Sequence, residues 1–460
     1  MTINRNATCC RSYTFARNMN CNKNMVCVLI LLMINIPILS AQQNNTNDTL
    51  RLSLKETWER AEKFSRVIAI KNKAVSISNE EIKDSKMERL PELGIMGSAE
   101  KATNIPIYEN GLFSRPTQHE VIHTLYKVGT DFALNIYNGN KLNLKIEEQG
   151  ILHKIASLKK DQKTSDIHYQ TASFYLDLQR SFIFQTLIVK DIADQEKQLA
   201  EVKAFYKNGT VLKSDVLRIE LELSKRKMTL VQIQNDILIA NQKLNIIIGE
   251  PDDRLIKPIE TLSTTDEKSY DDFLKEALEY SFPYQISEKK TVISEIGVKK
   301  VNANLRPKIS MYGEFYYANP QIFLYPYNPY WYSLGIAGVK ISFPISATYH
   351  NVHKVRAAKL ELEQEEIAHK DQQDMVRQQV KEAYLRYREA LIQIGVAKID
   401  VVHAVENARI IKNTYFNHTT LVTDLLDADI LVLRSRFELE GAKIVAQNKY
   451  YLLKNITGVL

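Results

Sequence analysis

Residues 119–123 read His-Glu-Val-Ile-His. Two histidines four residues apart flank a glutamate. On a helix, that spacing puts both imidazoles on one face. They can then share a zinc ion, with the glutamate as the general base of a peptidase. On a strand the same two residues lie about 13 Å apart, at roughly 3.3 Å per residue. A zinc ion needs each nitrogen within about 2.1 Å. The elements around the motif therefore decide its chemistry.

Composition narrows the field. The chain has 460 residues, with 61 basic against 54 acidic side chains. Arg5, Arg11, Arg17 and Lys23 stand in the first 41 residues, which hold no acid. Without that stretch the balance is near neutral and there are no clustered Lys/Arg runs of the kind an anionic partner would favour, which argues against a nucleic-acid partner. Residues 25–39, MVCVLILLMINIPIL, follow Lys23 and precede Ser-Ala. A basic stretch, a short apolar core and a small-residue exit form a secretory signal, with cleavage expected after Ala41. Met19 is a plausible alternative start. All four cysteines (Cys9, Cys10, Cys21, Cys27) fall inside that segment. The mature chain then has no disulfide framework, no Cys metal site and no lipid-anchor cysteine.

The strongest signal is internal repetition. YKNGTVLKSDVL begins at Tyr206 and YFNHTTLVTDLL at Tyr415, an ungapped offset of 209. The register still holds where Gly249 meets Gly458. Upstream, Ala61 pairs with Ala277, Pro91 with Pro307 and Gly97 with Gly313, at an offset of 216. The seven-residue difference falls between Gly97 and Gly129, beside the histidine motif. The chain divides as 1–41 signal peptide, 42–250 first repeat, 251–267 linker and 268–460 second repeat.

Each repeat has one plan. A helix opens it (53–88, then 269–302), and extended segments follow. A very long helix comes next (140–206, then 347–415), and a shorter helix returns (211–248, then 420–456). Residues 151–208 contain no Gly or Pro, and from Ala347 to Asn417 the only one is Gly395. Such helices span about 100 Å at 1.5 Å per residue. Apolar residues recur every three or four positions, as in Leu199, Val202, Tyr206 and in Ile399, Val402, Glu406, Ile410, where Glu406 is the one polar member. That is a stripe for packing on a neighbouring helix.

The extended segments alternate with period two. Over 121–136 the even positions hold Ile122, Thr124, Tyr126, Val128, Thr130, Phe132, Leu134 and Ile136, and the odd positions are mostly polar. Trp331, Ser333, Val339, Ile341 and Phe343 mark the matching face in the second repeat. Residues 93–101 and 309–317 alternate too, with Ile309, Met311, Phe315 and Tyr317 opposite Ser310, Tyr312 and Glu314. Aromatics crowd FLYPYNPYWY (323–332). An apolar outside, a polar inside and a Tyr/Trp belt fit a transmembrane β-barrel; a soluble sheet with one wet face is the alternative. His119 and His123 then precede or begin a strand. Pro116 stands just ahead, and Glu147, offered as a third ligand, belongs to the next long helix. A surface hairpin is the reading that follows, with no metal and no cofactor.

At these residues the chain resembles the TolC family of outer-membrane efflux proteins. The marks are the two repeats, strand pairs set between helices, and the two Tyr-x-x-Gly/x-Thr…Asp-x-Leu turns, of which YFNHTTLVTDLLDAD is the more specific. The resemblance covers nearly all of the mature chain. It implies an α+β membrane protein made of long antiparallel helical hairpins forming an α-barrel. Four strands per chain would join a trimeric twelve-stranded β-barrel in the outer membrane. The homotrimer would dock on a periplasmic adaptor and an inner-membrane pump, and would conduct substrates without chemistry. Physics concurs: four strands cannot close a barrel, and an open edge in lipid leaves backbone groups unpaired.

The same resemblance assigns roles at the turns. Asp424 and Asp427 match acidic rings at the periplasmic entrance. Carboxylates around a narrow axis repel one another and attract cations. Asp215 and Tyr415 match the polar network that holds the entrance shut. Thr420 stands where the family's known example has an Arg, so a hydrogen-bonded latch is expected in place of a salt-bridged one. Asn208, Gly209 and Thr210, with Asn417, His418 and Thr419, match the tip that meets the adaptor. His418 replaces a usual Gly, which would strain a positive-φ backbone. The bland alternatives are definite: Asp215 and Asp424 favoured by the helix dipole, Thr210 or Ser214 as caps, and Tyr206 and Tyr415 as core tyrosines. Two other classes stay open, a helical periplasmic scaffold with a soluble sheet and a zinc peptidase. Drug efflux, metal export and protein secretion are not separable at this level.

Overall fold

The computed structural model describes residues 49–259, 268–322, 327–417 and 419–460. Residues 1–48 with the signal segment, residues 260–267 of the linker, residues 323–326 of the aromatic run and His418 lie outside the described residues. The chain opens with β1 (Leu50–Leu52), α1 (Leu54–Phe64) and α2 (Arg66–Met87). Then come β2 (Glu92–Lys101), β3 (Ile105–Ile107), β4 (Thr117–His119) and β5 (Thr124–Asn138). Helices α3 (Lys141–Lys207) and α4 (Lys213–Ile248) lead to β6 (Ile256–Pro258). After the linker run α5 (Tyr270–Tyr280), α6 (Phe282–Asn302), β7 (Lys308–Asn319) and β8 (Tyr332–Ser342). The chain ends with α7 (Ala347–His350), α8 (Val352–Phe416) and α9 (Val422–Thr457).

Each predicted opening helix is in fact two. Ser65 and Ser281, 216 residues apart, both leave the helical region, with ψ of 114° and 122°. Each donates its N–H back to the preceding helix, to Ala61 and Ala277. Ser65 Oγ then accepts from Ile68 N, and Pro283 occupies the first turn of α6, where its missing N–H costs nothing. The starts of α1 and α5 are also matched. Ser53 and Glu56 satisfy each other's backbone N–H, as do Ser269 and Asp272, a reciprocal cap at which loss of the serine costs roughly 1 kcal/mol. The second long helix is likewise interrupted, at the buried Asn351, between α7 and α8.

Four strands form one antiparallel sheet in the order β2-β5-β7-β8. Register places Leu93 beside Phe132, Val128 beside Tyr317, Phe315 beside Gly335 and Ile309 beside Ile341. These residues line one face, and it is bare: Leu93 is 81% and Ile95 87% exposed. The other face carries Lys127, Asp131, Ser310, Glu314 and Lys340, and Lys127 pairs with Glu314. A bulge after Asn135 shifts the predicted alternation, so Tyr137, not Ile136, stands opposite Ile309. One short pairing was not expected, the parallel β1–β6, whereas the hairpin expected at the histidines forms as β3–β4, with His119 in β4 and His123 outside it. Three residues are too few to display a period. Among the described residues no helix is long and apolar enough to cross a membrane.

Helix α3 is the spine. It packs against α2 and α6 in one half of its length and against α4 and α9 in the other, while α8 packs on α6 and α9. The main core lies between α1, α3, α4 and α9 around Leu178, Ile188, Val202, Ile219, Leu244 and Leu425. A smaller one joins α5, α8 and α9 at Phe273, Val380, Tyr387 and Leu453. The two sequence stripes have different fates. Val202 is fully buried within the chain, whereas Ile399 and Val402 are exposed.

Candidate functional site

The two helical turns are built alike. At the first, Gly209 adopts φ +73°, which only glycine takes without cost. Asn208 N and Thr210 N donate back to Phe205 O, and Thr210 Oγ1 does so at 2.9 Å. Thr210 therefore closes α3 and does not cap α4. The cap on α4 is Asp215, whose carboxylate accepts from Leu212 N at 3.3 Å. At the second turn, Asn417 N donates to Asn413 O, and Thr419 uses N and Oγ1 to reach Thr414 O. Asp424 accepts from Leu421 N at 3.2 Å. Each acid thus accepts a backbone N–H at the start of its helix.

The turns share a cleft of about 600 Å³ lined by Asp215, Arg218, Tyr415, Thr420, Leu212 and Leu421. Tyr415 is buried, and its hydroxyl has no hydrogen-bond partner among the described residues. Burial, with the Asp215 carboxylate nearby, holds that hydroxyl above the usual phenol range. Thr420 bonds Thr414 across its own turn, at 3.3 Å, and within one chain it does not bridge Tyr415 to Asp215. Asp427 is exposed on α9, one turn beyond Asp424. Arg218 escaped the sequence reading. Its signal was available, since it lies three residues past Asp215 on the same helix face.

Three turns up the bundle from the cleft lies a buried ionic layer. Arg226 donates from Nε to Asp191 Oδ2 at 2.5 Å and approaches Glu222 at 3.5 Å. Gln195 reaches across to Asp429 on α9 at 2.9 Å. Burial, and then the neighbouring Asp429 and Asp194, raise the Asp191 carboxyl against the pull of Arg226.

The histidine motif is not assembled for metal. His119 ends β4 opposite Ile105. His123 lies beyond the strand and uses Nδ1–H to bond Ala102 O at 2.9 Å. With a carbonyl as acceptor, that ring nitrogen must carry the proton and cannot ligate. Among the described residues no group of three or more His, Cys, Asp or Glu could hold a metal ion.

No family model matches the chain, and no curated protein does. Solved structures do. The outer-membrane channel OprN aligns with TM-score 0.71 and 15% identity, over 88% of this chain and 90% of its own. CusC, described in terms of folding and transmembrane channel formation, aligns with TM-score 0.73 and 14% identity, over 91% and 95%. The outer membrane protein VceC from Vibrio cholerae aligns with TM-score 0.69 and 15% identity, over 88% and 96%. The chain has the fold of these outer-membrane channels, as expected from the turns, strand pairs and long helices.

Proposed function

We propose that this chain is an outer-membrane factor of the TolC family, a passive duct and not an enzyme. The observation that carries the reading is a pair of open borders. Among the described residues β2 pairs only with β5, and β8 only with β7, so both sheet edges are unpaired within them. The apolar face between those edges is bare. In lipid such a sheet is stable only when its edges are closed. The helices have matching borders. On one side α8 exposes Leu385, Ile392 and Ile399 at seven-residue steps, and on the other α4 exposes Leu217, Leu221, Met228, Val231 and Leu238. These are coiled-coil seams without a partner among the described residues. Joining β8 and α8 of one copy to β2 and α4 of the next is a heterologous contact, which closes into a ring.

By resemblance the ring is a homotrimer with a twelve-stranded barrel, built from repeats 42–250 and 268–460 after removal of residues 1–41. The paired turns form its periplasmic tip. Asp424, Asp427, Asp215, Tyr415 and Thr420 gate the entrance. Asn208, Gly209, Thr210, Asn417, His418 and Thr419 meet an adaptor that is served by an inner-membrane pump, in an efflux or secretion system. The test is planar-bilayer conductance of the purified protein. Discrete channels support the duct. A folded preparation that gives none, and that a carbonate wash strips from membranes, returns the soluble scaffold.

A further inference from the structure

The junction between sheet and helices carries an uncompensated positive charge. From residue 296 to residue 360 the only acidic side chain is Glu314, and Lys127 already pairs with it. Residues 132–146 contain no acid and hold Lys141 and Lys145. Glu88 pairs with Lys145, and Glu148 with Lys300. Lys141, Lys308 and Lys354 have no carboxylate partner among the described residues.

These three are brought together by the fold. Lys141 opens α3, Lys308 opens β7 and Lys354 lies in the first turn of α8. Lys141 Nζ donates to Asn304 Oδ1. Asn304 donates to Asn351 Oδ1 at 3.0 Å, and Asn351 donates to Val301 O at 2.8 Å. No acceptor in that chain is a charge. Lys141 is partly buried, and burial followed by Lys308 and Lys354 pushes its amine below the usual lysine range. The two longest helices also begin here, with no acid in either first turn, so their positive dipole ends add to the lysines.

Register fixes the side on which this charge acts. Lys308 stands opposite Asn138 and Ser342, in the row next to Ile309 and Ile341. Ile309 belongs to the bare apolar face, so Lys308 lies on the polar one. Lys340 shares that face, opposite Ser310. In the proposed duct the polar face is the lumen.

We propose that Lys141, Lys308 and Lys354 form a basic neck, where the polar face of the sheet meets the long helices, and that this neck favours anionic solutes in transit. The inference rests on the duct reading and adds a second filter, opposite in sign to the acidic tip. Charge at a narrow, protein-walled passage acts strongly on ions of either sign.

The experiment is a reversal-potential measurement in planar bilayers. It uses the full purified chain under gradients of potassium chloride and potassium phosphate, beside a Lys141→Gln, Lys308→Gln, Lys354→Gln variant. The expected result is a rise of roughly twofold or more in cation-over-anion permeability, shrinking in 1 M salt as screening grows. Lys354→Gln alone, at an exposed position, shifts the ratio the same way by a smaller step, and Lys354→Arg restores it. A variant series that conducts with an unchanged ratio overturns the basic neck and leaves the duct standing. No conductance from the wild-type chain overturns the duct, and the neck with it.

Discussion

Arg226 on α4 is 3% exposed and donates to Asp191 on α3 at 2.5 Å. Its two terminal nitrogens have no hydrogen-bond partner among the described residues. A buried guanidinium so placed is held by its carboxylates, and removing one partner leaves a bare charge. Arg226→Met should therefore lower stability by about 3–5 kcal/mol, and Asp191→Leu added to it should recover most of that loss. Thermal melting of both variants in detergent measures this. Asp191 has a folded pKa above its unfolded value. Its favourable contribution is full below the unfolded value and is lost as pH rises through the folded one. In Arg226→Met the melting temperature should thus climb on acidification from pH 7. A flat profile would mean that Asp191 is not the group left stranded.

The apolar sheet face predicts an asymmetry. Val128 stands in the row of Gly97 and Tyr317, and Ser310 points to the opposite face beside Asn135 and Lys340. Val128→Arg should cost about 2–4 kcal/mol if its site lies near the bilayer midplane. Ser310→Arg faces water and should be tolerated. Fractionation after expression checks this: the first variant should be depleted from the outer membrane and the second retained. Equal recovery of the two would indicate a soluble sheet.

The exposed stripe on α8 makes a separate claim about assembly. Ile392 and Ile399 are exposed, while Val380 on the same helix is fully buried. Ile392→Asp with Ile399→Asp should dissociate the oligomer in native mass spectrometry with secondary structure intact. Each such side chain is worth roughly 1.5–3 kcal/mol when fully buried. Val380→Asp should instead collapse folding. A double variant that keeps the wild-type oligomer would show that the ring closes through other surfaces.

Much of this architecture was legible because long elements repeat their period many times. The 67-residue and 65-residue helices and the four main strands announce themselves to within a few residues. What escaped is local. Ser65 and Ser281 break helices through one dihedral each, and only the second break has a nearby signal, Pro283. The β1–β6 pair is too short for alternation, and the bulge after Asn135 changes facing without changing composition. At the turns the acids were visible but their duty was not. A carboxylate three residues into a helix reads the same whether it caps a backbone N–H or lines a pore. Arg218 and the Arg226 layer depend on contacts between elements, which no single stretch displays.

Asp424 and Asp427 separate those two duties. Asp424 accepts from Leu421 N and so holds the first turn of α9. Asp427 is exposed and makes no ion pair among the described residues. Asp424→Ala removes the cap and should cost about 0.5–2 kcal/mol, read as a lower melting temperature. Asp424→Asn keeps an oxygen for the same N–H and should restore most of it. Asp427→Asn takes away charge with no bond to lose, so its melting temperature should stay at the wild-type value. In bilayers, however, Asp427→Asn should lower cation selectivity, because copies of that carboxylate around one axis would supply the attraction at the entrance. Selectivity that falls with Asp424→Asn but not with Asp427→Asn would assign the ring to Asp424 alone, with capping and gating carried by one side chain. Selectivity unmoved by both would remove the turns from the conduction path.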